Sequence, residues 1–413
     1  MKVLLVSSKY PPEYAGSGLR AHRTHLRLND RYDVETEVIC SSTEIHVPET
    51  YVQDSLSVTR VVSPFFRKVN AMFGKGQVRR LTNAAVYRSE MNSVTKLLNT
   101  KSVDVVHVFG YSPATLAAIR WSRQNGVPLM RELVNFVPSA FQYPPRQIGN
   151  PDYEFPDNSV VVAISQHLGD VSARDGLIEN VWVRPNPVDV ETFVVPDAEE
   201  RAEARRRLTK FAPSDIVLVF VAKFLARKNH TFLIDAMSKL PENFKLLLAG
   251  PPSDPVDSTP GHSLEDIERM KQDIIARGMD GRIEIHPGFV DAADYMKAGD
   301  VFMMPTEREG MGTPLLEALV SGLPVVANAT EPSLAEYIVD GHNGYLSRLA
   351  EAEWADAVIK ASKIDENQRL VFAKEIGGKV STASIDADYF HLLEALAASR
   401  RGNNISVSDI LNR

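Results

Sequence analysis

The chain has 413 residues, of which 44% are apolar and 24% are charged, and its formal charge is −7. This composition is typical of a soluble protein with two or three domains, and the acidic total argues against nucleic acid as the main partner. The lone cysteine, Cys40, can form neither an internal disulfide nor a structural zinc site, which favours a reducing, cytoplasmic location.

Short apolar runs alternate with helical stretches through the first half of the chain. Continuous apolar runs are typical of strands that are buried on both faces of a parallel sheet. The predicted strands are Val3–Ser7, Val34–Cys40, Val103–Val108, Pro128–Leu133, Val160–Ile164 and Val181–Val183, and the predicted helices lie near Ser17–Leu28, Val78–Leu98 and Pro113–Gln124. The pattern predicts an α/β domain in which helices cover the sheet.

A segment near residues 65–81 mixes aromatic and basic side chains. Such a mixture can contact anionic lipid at a membrane surface, or an acidic acceptor. A surface loop that leads into a helix explains the same residues equally well. Peripheral contact with the inner face of a membrane is therefore one prediction for this segment.

The alternation of strands and helices begins again after a linker that is rich in proline. The predicted strands of the second half are Ile216–Val221, Lys245–Ala249, Ile283–His286, Val301–Met304 and Pro324–Ala327, with helices near Asn229–Ser238, Leu264–Ala276, Pro314–Val320 and Ala350–Ala361. We predict an N-terminal Rossmann-like domain over residues 1–194 and a C-terminal one over 195–384. Residues 385–413 form a helix that could cross back to the first domain, followed by a polar tail that is expected to be partly disordered.

The most informative segment, Pro305–Leu319, follows a predicted strand and opens a predicted helix. Gly310 and Gly312 allow the backbone to approach a ligand closely, and Pro314 suits the first helical turn, where its missing amide hydrogen has no cost. Backbone amides near Thr313–Leu316 would then point at the ligand. Because a helix N-terminus attracts phosphate, this segment predicts an anion site.

Two glutamates frame this anion site, Glu309 in the loop and Glu317 in the helix. A carboxylate that faced phosphate would repel it, so both are better suited to accept hydrogen bonds from sugar hydroxyls. Their spacing, with Pro324-Val325 downstream, resembles the signature of the retaining GT-B glycosyltransferases of family 4. The resemblance implies two Rossmann-like domains that face each other across a cleft. It also implies that Glu309 contacts the donor sugar as the catalytic residue and that Glu317 contacts the ribose.

A second segment, Phe220–Asn229, leaves a predicted strand and enters a helix. In the family, an arginine and a lysine at this place bind the donor diphosphate. Lys228 matches the lysine, and Lys223 replaces the arginine, which keeps the charge but loses the bidentate geometry of a guanidinium. The neighbouring Arg227 is expected to point to solvent.

The resemblance places the rest of the donor site in three loops. One is a glycine loop after the first strand, one is the loop at Gly288–Val290 whose backbone reads the base, and one is the start of the helix after Gly312. The donor-binding residues that it implies are Gly16, Gly18, Lys223, Lys228, Val290, Glu309, Met311, Gly312, Thr313, Pro314, Leu315 and Glu317. A glycine turn between a strand and a helix also occurs for backbone reasons alone.

Acceptor contacts are harder to identify. Many relatives carry His-x-His after the strand that matches Val103–Val108, but here Phe109 stands in the place of the second histidine, and phenylalanine has no acid–base chemistry. His107 remains a candidate, and Arg131 and Glu132 at the end of the next strand are alternatives. A histidine at the end of a buried strand is also typical of a purely structural role.

The predicted function is that of a hexosyltransferase that moves a sugar, with retention, from a UDP- or GDP-linked donor to an acceptor hydroxyl. The acceptor would be a glycan, a lipid-linked sugar or a small molecule. No cofactor and no metal are expected, and Asp386-Ala387-Asp388 is interpreted as a charged helix start. A UDP-sugar epimerase of the same fold and a non-catalytic glycosyltransferase-like subunit remain alternatives. A nicotinamide enzyme is disfavoured because no Gly-x-Gly-x-x-Gly follows the first strand.

Overall fold

The computed structural model describes most of the chain. The described residues are 1–13, 15–42, 44–62, 68, 72, 77–134, 137, 139–141, 154–156, 158–177, 179–253, 260–399 and 405–411, without the side chains of 77–80. The predicted membrane-contact segment at 65–81 lies largely outside these residues. Within the described part of the chain, no helix combines the length and the apolar character that crossing a bilayer requires.

The chain divides into two compact units. One contains Met1–Arg184 and Ile385–Arg413, and the other contains Pro185–Ser384. The division precedes the predicted boundary at residue 194 because the intervening segment bonds to the second unit. The Val188 amide donates to the Val380 carbonyl at 2.8 Å, and the Thr382 amide donates to the Val188 carbonyl at 3.1 Å.

The first unit is built on one sheet of eight strands. They are β1 (Lys2–Ser7), β2 (Glu35–Ser41), β3 (Glu49–Gln53), β4 (Leu56–Val61), β5 (Val105–Phe109), β6 (Leu129–Leu133), β7 (Ser159–Ala163) and β8 (Val181–Val183). Their order is β3-β4-β2-β1-β5-β6-β7-β8, and every neighbouring pair is parallel except the antiparallel β3–β4 pair. The carboxyl ends of the parallel strands therefore share one edge of the sheet.

The strands β3 and β4 were not predicted from the sequence. Neither has the continuous apolar run that identifies the inner strands, because β3 is largely exposed and β4 alternates between buried and more exposed positions along its first residues. The antiparallel pairing of β3 with β4 places β3 at the edge of the sheet. An edge strand with an exposed face needs few apolar residues, so hydropathy alone does not reveal it.

Among the described residues of the first unit, the helices that connect these strands are α1 (Gly16–Tyr32), α2 (Gln77–Leu98), α3 (Pro113–Asn125) and α4 (Gln166–Arg174). The start of α3 has the capping chemistry that the sequence allows. Ser112 accepts from the Thr115 amide while the Thr115 hydroxyl accepts from the Ser112 amide, and Pro113 occupies the first turn. The helix ends at Gly126 in the left-handed conformation, with φ of 61°.

The second unit has a six-stranded, fully parallel sheet. Its strands are β9 (Ile216–Val221), β10 (Phe244–Gly250), β11 (Ile283–Pro287), β12 (Val301–Met304), β13 (Val325–Asn328) and β14 (Gly344–Ser347), in the order β11-β10-β9-β12-β13-β14. Its helices are α5 (Ala198–Leu208), α6 (His230–Ala236), α7 (Leu264–Ala276), α8 (Ala292–Ala298), α9 (Thr313–Val320), α10 (Pro332–Ala335), α11 (Glu351–Ala361) and α12 (Glu366–Val380). Both units thus have the predicted α/β class with a parallel sheet.

The C-terminal helix α13 (Thr382–Ser399) packs on the first unit. Its residues Ile385, Tyr389, Leu392 and Leu396 join a buried apolar cluster that includes Val3 of β1. Burial of this apolar face removes nonpolar surface from water, which stabilises the attachment of the helix. The C-terminal residues therefore return to the first unit.

Two features of the C-terminal segment go beyond what its local sequence reveals. Asp386, near the start of α13, is fully buried and accepts from Arg27 Nε at 2.6 Å and from Arg31 Nη1 at 3.0 Å. In the described part of the polar tail, α14 (Val407–Leu411) follows Ile405. Ile405 and Val407 are buried in the same apolar cluster as α13.

Candidate functional site

The loops that follow β9 and β12 are hydrogen-bonded to each other at the carboxyl edge of the second sheet. The Glu307 amide donates to the Arg227 carbonyl at 2.9 Å, and Asn229 Nδ2 donates to the Pro305 carbonyl at 2.8 Å. β9 and β12 are neighbours in the sheet, so both loops leave the same edge. These bonds fix the two segments that the sequence identified as informative against one another.

The predicted sugar-binding carboxylate and the predicted phosphate-binding lysine form an ion pair. Lys228 Nζ donates to Glu309 Oε2 at 2.5 Å, and Arg227 Nη1 donates to the same oxygen at 2.8 Å. The Lys228 and Glu309 side chains are 10% and 14% exposed, and that of Arg227 is 28% exposed. The expectation that Arg227 points to solvent was therefore wrong, because its guanidinium is bound to Glu309.

The electrostatics of this cluster follow from its burial. Burial lowers the pKa of Lys228, although the charge of Glu309 acts in the opposite direction. Burial by itself would raise the pKa of Glu309, but the charges of Lys228 and Arg227 outweigh it and hold that pKa below its ordinary value. Glu309 is therefore ionised at neutral pH, a state in which both of its carboxylate oxygens can accept hydrogen bonds from hydroxyl groups.

The start of α9 has the backbone that its sequence predicts. Gly312 lies in the left-handed region with φ of 72°, and a Cβ there would come within 2.8 Å of Leu334 and 2.9 Å of Met304. Pro314 occupies the first turn, and the Leu315 amide already donates to the Gly312 carbonyl at 2.8 Å. Within the predicted Thr313–Leu316 range, the Leu315 amide is thus engaged by the protein and Pro314 has no amide hydrogen, and anion binding at this helix start stays a prediction.

Two contacts that sequence analysis missed hold this region in place. Asn186 Nδ2 donates to Thr313 Oγ1 at 2.7 Å, and Ser333 Oγ donates to the Glu309 carbonyl at 2.9 Å. Asn186 lies between two prolines just after the division between the units, which is a signal for an ordered turn but not for this partner. The first residue of α9 and the loop carboxylate are therefore each fixed by a side chain from a different element.

The remaining donor-site candidates of the second unit lie on the same edge of the sheet. Lys223 follows β9 and Val290 follows β11, and both are partly exposed. Met311 is buried just before α9, while Glu317 is partly buried within that helix. A hydrogen bond of 2.9 Å from the Gly288 amide to the Gly250 carbonyl joins the loops after β11 and β10.

Gly16 and Gly18 lie in the first unit, at the start of α1. A Cβ on Gly18 would come within 2.4 Å of the Lys9 carbonyl oxygen, so close backbone packing explains this glycine without a ligand. Gly16 is exposed, and a Cβ there would meet no atom within 4 Å. Their predicted contact with the donor stays a prediction.

The predicted acceptor residues His107 and Glu132 are buried and bonded to each other. His107 Nε2 lies 3.3 Å from Glu132 Oε1, and both side chains are 0% exposed. Glu132 also accepts from Arg184 Nη2 at 2.9 Å and from the Tyr389 hydroxyl at 2.5 Å. We call His25, His107, Glu132, Arg184 and Tyr389 the buried polar network. An acceptor could contact this network only if it were uncovered, so the geometry favours a structural role for its members.

Charge within the buried polar network is balanced around Glu132. Burial by itself would raise the pKa of Glu132, but Arg184 and His107 outweigh it and lower that pKa to about 2. The third acceptor candidate, Arg131, is only 1% exposed, and burial lowers its pKa to about 10. None of the three predicted acceptor residues therefore presents its side chain at a surface of the described structure.

The two histidines of the network predict how stability depends on pH. His25 Nε2 lies 3.0 Å from His107 Nδ1, and burial, reinforced for His25 by the charge of His107, lowers the pKa of both. In the unfolded chain both histidines take up a proton near pH 6.5, whereas in the folded state they bind protons only at lower pH. Their contribution to the free energy of unfolding is therefore present above about pH 6.5 and is lost as the pH falls below it. The free energy of unfolding of the first unit should fall by about 2–3 kcal/mol between pH 7.5 and pH 5.5.

Urea unfolding of a Trp354→Phe variant at the two pH values, followed by tryptophan fluorescence, measures this loss, because Trp121 and Trp182 both lie in the first unit. In that background His25→Gln should reduce the loss, while His46→Gln, a change at an exposed histidine of the same unit, should leave it unchanged. Equal unfolding free energies at pH 7.5 and pH 5.5 would show that the histidine pair takes up protons as readily in the folded state as in the unfolded chain.

The sequence of the second unit matches a known family of domains. Residues 215–363 match the family model described as glycosyl transferases group 1. EpsF of Bacillus subtilis, which is named as a glycosyltransferase, is 30% identical over 207 residues, or 48% of this chain and 48% of EpsF. The D-inositol 3-phosphate glycosyltransferase of Xylanimonas cellulosilytica is 26% identical over 359 residues, or 82% of this chain and 81% of that protein.

Solved structures with the same fold extend over almost the whole chain. HepE of Anabaena, solved in complex with UDP and glucose, superposes with a TM-score of 0.68 at 17% identity and covers 96% of this chain and 100% of HepE. At that identity the likeness shows the fold alone. Residues 215–363 are therefore similar to the glycosyl transferases group 1 domain, and the chain has the GT-B fold, with two units that each contain a largely parallel sheet.

Proposed function

We propose that the protein transfers a hexosyl group, with retention of configuration, from a UDP- or GDP-linked sugar to an acceptor hydroxyl. The observation that carries this proposal is the pairing of Lys228 with Glu309 beside the start of α9, at the carboxyl edge of a parallel sheet. Open α/β sheets bind ligands at this edge. The match to the glycosyltransferase group 1 model over the same residues supports it.

The diphosphate of the donor would bind among the cations at this edge. Lys223, Lys228 and the N-terminus of α9 would stabilise the negative charge that develops on the diphosphate as it departs. They supply fixed positive charge without a metal, so the proposal includes metal independence. Among the residues that the structure describes, no group of three or more His, Cys, Asp or Glu side chains is placed to hold a metal ion.

Glu309 would bind hydroxyl groups of the donor sugar and hold the anomeric carbon in a reactive position. We propose front-face attack, in which the acceptor oxygen approaches on the same side as the leaving group. The glycosidic bond forms as the bond between the anomeric carbon and the phosphate oxygen breaks. The acceptor proton passes to that phosphate oxygen, and a nucleoside diphosphate is released. Configuration is retained because the new bond forms on the face from which the leaving group departs.

The proposal also specifies the acceptor and the location of the reaction. The acceptor is a hydroxyl of a glycan, a glycolipid or another glycoconjugate, bound by the first unit. The reaction takes place in the cytoplasm or at the inner face of a membrane, which is consistent with Cys40 as a free, buried thiol. HepE, which has the same fold, has been solved with UDP and glucose, and this supports a UDP-linked donor.

Calorimetry with a panel of UDP-, GDP- and ADP-sugars tests the proposal. We expect one donor to bind, and Glu317→Ala to weaken it about 10- to 100-fold through loss of hydrogen bonds from the ribose to a charged group. Glu353→Ala, a change at an exposed glutamate of α11, is the matched control and should not alter binding.

The products of the reaction distinguish the alternatives. Transfer to an acceptor supports the proposed function, and conversion of the donor to its epimer would identify an epimerase instead. If none of the nucleotide sugars bound, the transferase proposal would fail and a non-catalytic subunit would become the leading account.

A further inference from the structure

We propose that Arg227 is a donor-binding residue, a third cation that contacts the donor diphosphate together with Lys223 and Lys228. This inference rests on the proposed function and adds a residue to its site. The family motif that this chain resembles does not include Arg227, and no other pattern in the sequence selects this residue. The assignment comes from the position of its guanidinium in the structure.

The side chains of Arg227 and Lys228 converge on one atom. Both donate to Glu309 Oε2, at 2.8 Å and 2.5 Å. Two cationic nitrogens that share one acceptor oxygen are close enough to contact neighbouring oxygens of a single larger anion. The carboxylate of Glu309 therefore occupies the place that a phosphate oxygen would take when the donor is bound.

The guanidinium of Arg227 has a chemistry that the two lysines lack. A guanidinium donates through a planar fork that matches two oxygens of a phosphate, whereas an ammonium acts as a point charge. Lys223 and Lys228 are both ammonium groups, so Arg227 alone among these three cations can bind phosphate in a bidentate way. Its side chain is 28% exposed, compared with 10% for Lys228, so a ligand can reach it from solvent.

The backbone of Arg227 is held in place by a hydrogen bond. Its carbonyl accepts from the Glu307 amide at 2.9 Å, which ties the Arg227 loop to the loop that carries Glu309. A cation on a fixed backbone loses less conformational freedom when it binds a ligand. Arg227 is thus preorganised at the site even though its present partner is a carboxylate of the protein.

A phosphate oxygen of the donor can replace Glu309 Oε2 as the shared partner of the two cations, and Glu309 is then free to accept hydrogen bonds from the sugar. The buried carboxylate Glu331 also attracts Lys228, so a negative partner remains near that lysine after the exchange. Glu309 therefore competes with the nucleotide diphosphate in the empty site, and it assists transfer in the occupied one.

Calorimetry with UDP and GDP, which lack a sugar, tests the inference. Arg227→Ala should weaken binding of the preferred nucleotide about 10- to 100-fold, and Arg227→Lys should give an intermediate value. Glu309→Gln should strengthen binding about three- to tenfold because both cations are released from the carboxylate, while it abolishes sugar transfer. In the double variant of Arg227→Ala with Glu309→Gln, this gain should be smaller.

Arg277→Ala is the matched control. Arg277 is an exposed arginine of the same unit that contacts Asp235 and Asp273 at 2.6 Å, and it follows the end of α7. This variant should bind UDP and GDP like the wild type. Normal nucleotide binding by Arg227→Ala, or weaker binding by Glu309→Gln, would overturn the inference while leaving the proposed function intact. If the wild type bound neither nucleotide, the proposed function itself would fail.

Discussion

Replacement of Lys228 by alanine is expected to lower turnover of the nucleotide-sugar donor about 100- to 1,000-fold. The residue Lys228 is only 8% exposed. A low dielectric around its ammonium would strengthen the interaction with the departing diphosphate. The effect is measured as the rate at which nucleoside diphosphate is released from the donor that binds in the calorimetry panel. Donor affinity should fall in the same variant, about 10- to 100-fold.

The Lys228→Ala variant should still fold, since Arg227 continues to pair with Glu309 and that carboxylate keeps a cationic partner. Lys239→Ala is a suitable control. Lys239 is an exposed lysine of the same unit, 3.9 Å from Glu351, and its loss should leave turnover unchanged. Turnover of Lys228→Ala within a factor of about two of the wild type would show that diphosphate charge is stabilised elsewhere.

Replacement of Glu132 by alanine is expected to lower the free energy of unfolding of the first unit by about 3–5 kcal/mol. Glu132 is the one carboxylate of the buried polar network, and it accepts hydrogen bonds from Arg184 and Tyr389. Without it, the guanidinium of Arg184 would stay buried without its charge partner, which is the costly way to break a buried ion pair. The contact of Tyr389 with β6 would be lost as well.

The unfolding of the first unit can be followed separately in a Trp354→Phe background. The chain has three tryptophans, and the other two, Trp121 and Trp182, lie in the first unit. Trp182 packs edge-on against Tyr389 with ring centroids 4.9 Å apart, so its fluorescence reports on the network. Urea denaturation then gives the free energy of unfolding for the wild-type and variant proteins in that background.

The control for this experiment is Glu35→Ala in the same background. Glu35 makes an exposed ion pair of 3.6 Å with Lys2, and its loss should cost less than about 1 kcal/mol. A loss below 1 kcal/mol for Glu132→Ala would mean that Arg184 reaches solvent without Glu132. That result would favour Glu132 as an acceptor-binding residue, because a network that opens at low cost could be reached by an acceptor.

The buried polar network and the ion pairs of Asp386 have a common position in the fold. Tyr389 and Asp386 lie on α13, whose residues follow the second unit in the chain but pack on the first. Tyr389 bonds to β6 through Glu132, and Asp386 bonds to α1 through Arg27 and Arg31. These contacts attach the C-terminal helix to the first sheet by charge as well as by apolar packing.

The amino-acid sequence by itself determined the class of the fold and the location of the candidate site. The inner strands are continuous apolar runs, a local pattern that identifies strands buried on both faces. Gly312 and Pro314 define the backbone at the start of α9, because a left-handed φ and a first-turn proline are properties of single residues. Lys228 and Glu309 were selected by their match to the family motifs that the sequence resembles, and the structure brings them together.

Only the tertiary structure decided which side chains meet. Arg227 and Glu309 are 82 positions apart, and Tyr389 and Glu132 are 257 positions apart, so no local periodicity links them. The burial of Asp386 and the covering of His107 depend in the same way on which distant helix or strand packs above them. Local sequence fixes the conformation of short segments, whereas the partners of polar side chains depend on the packing of segments that are remote in the chain.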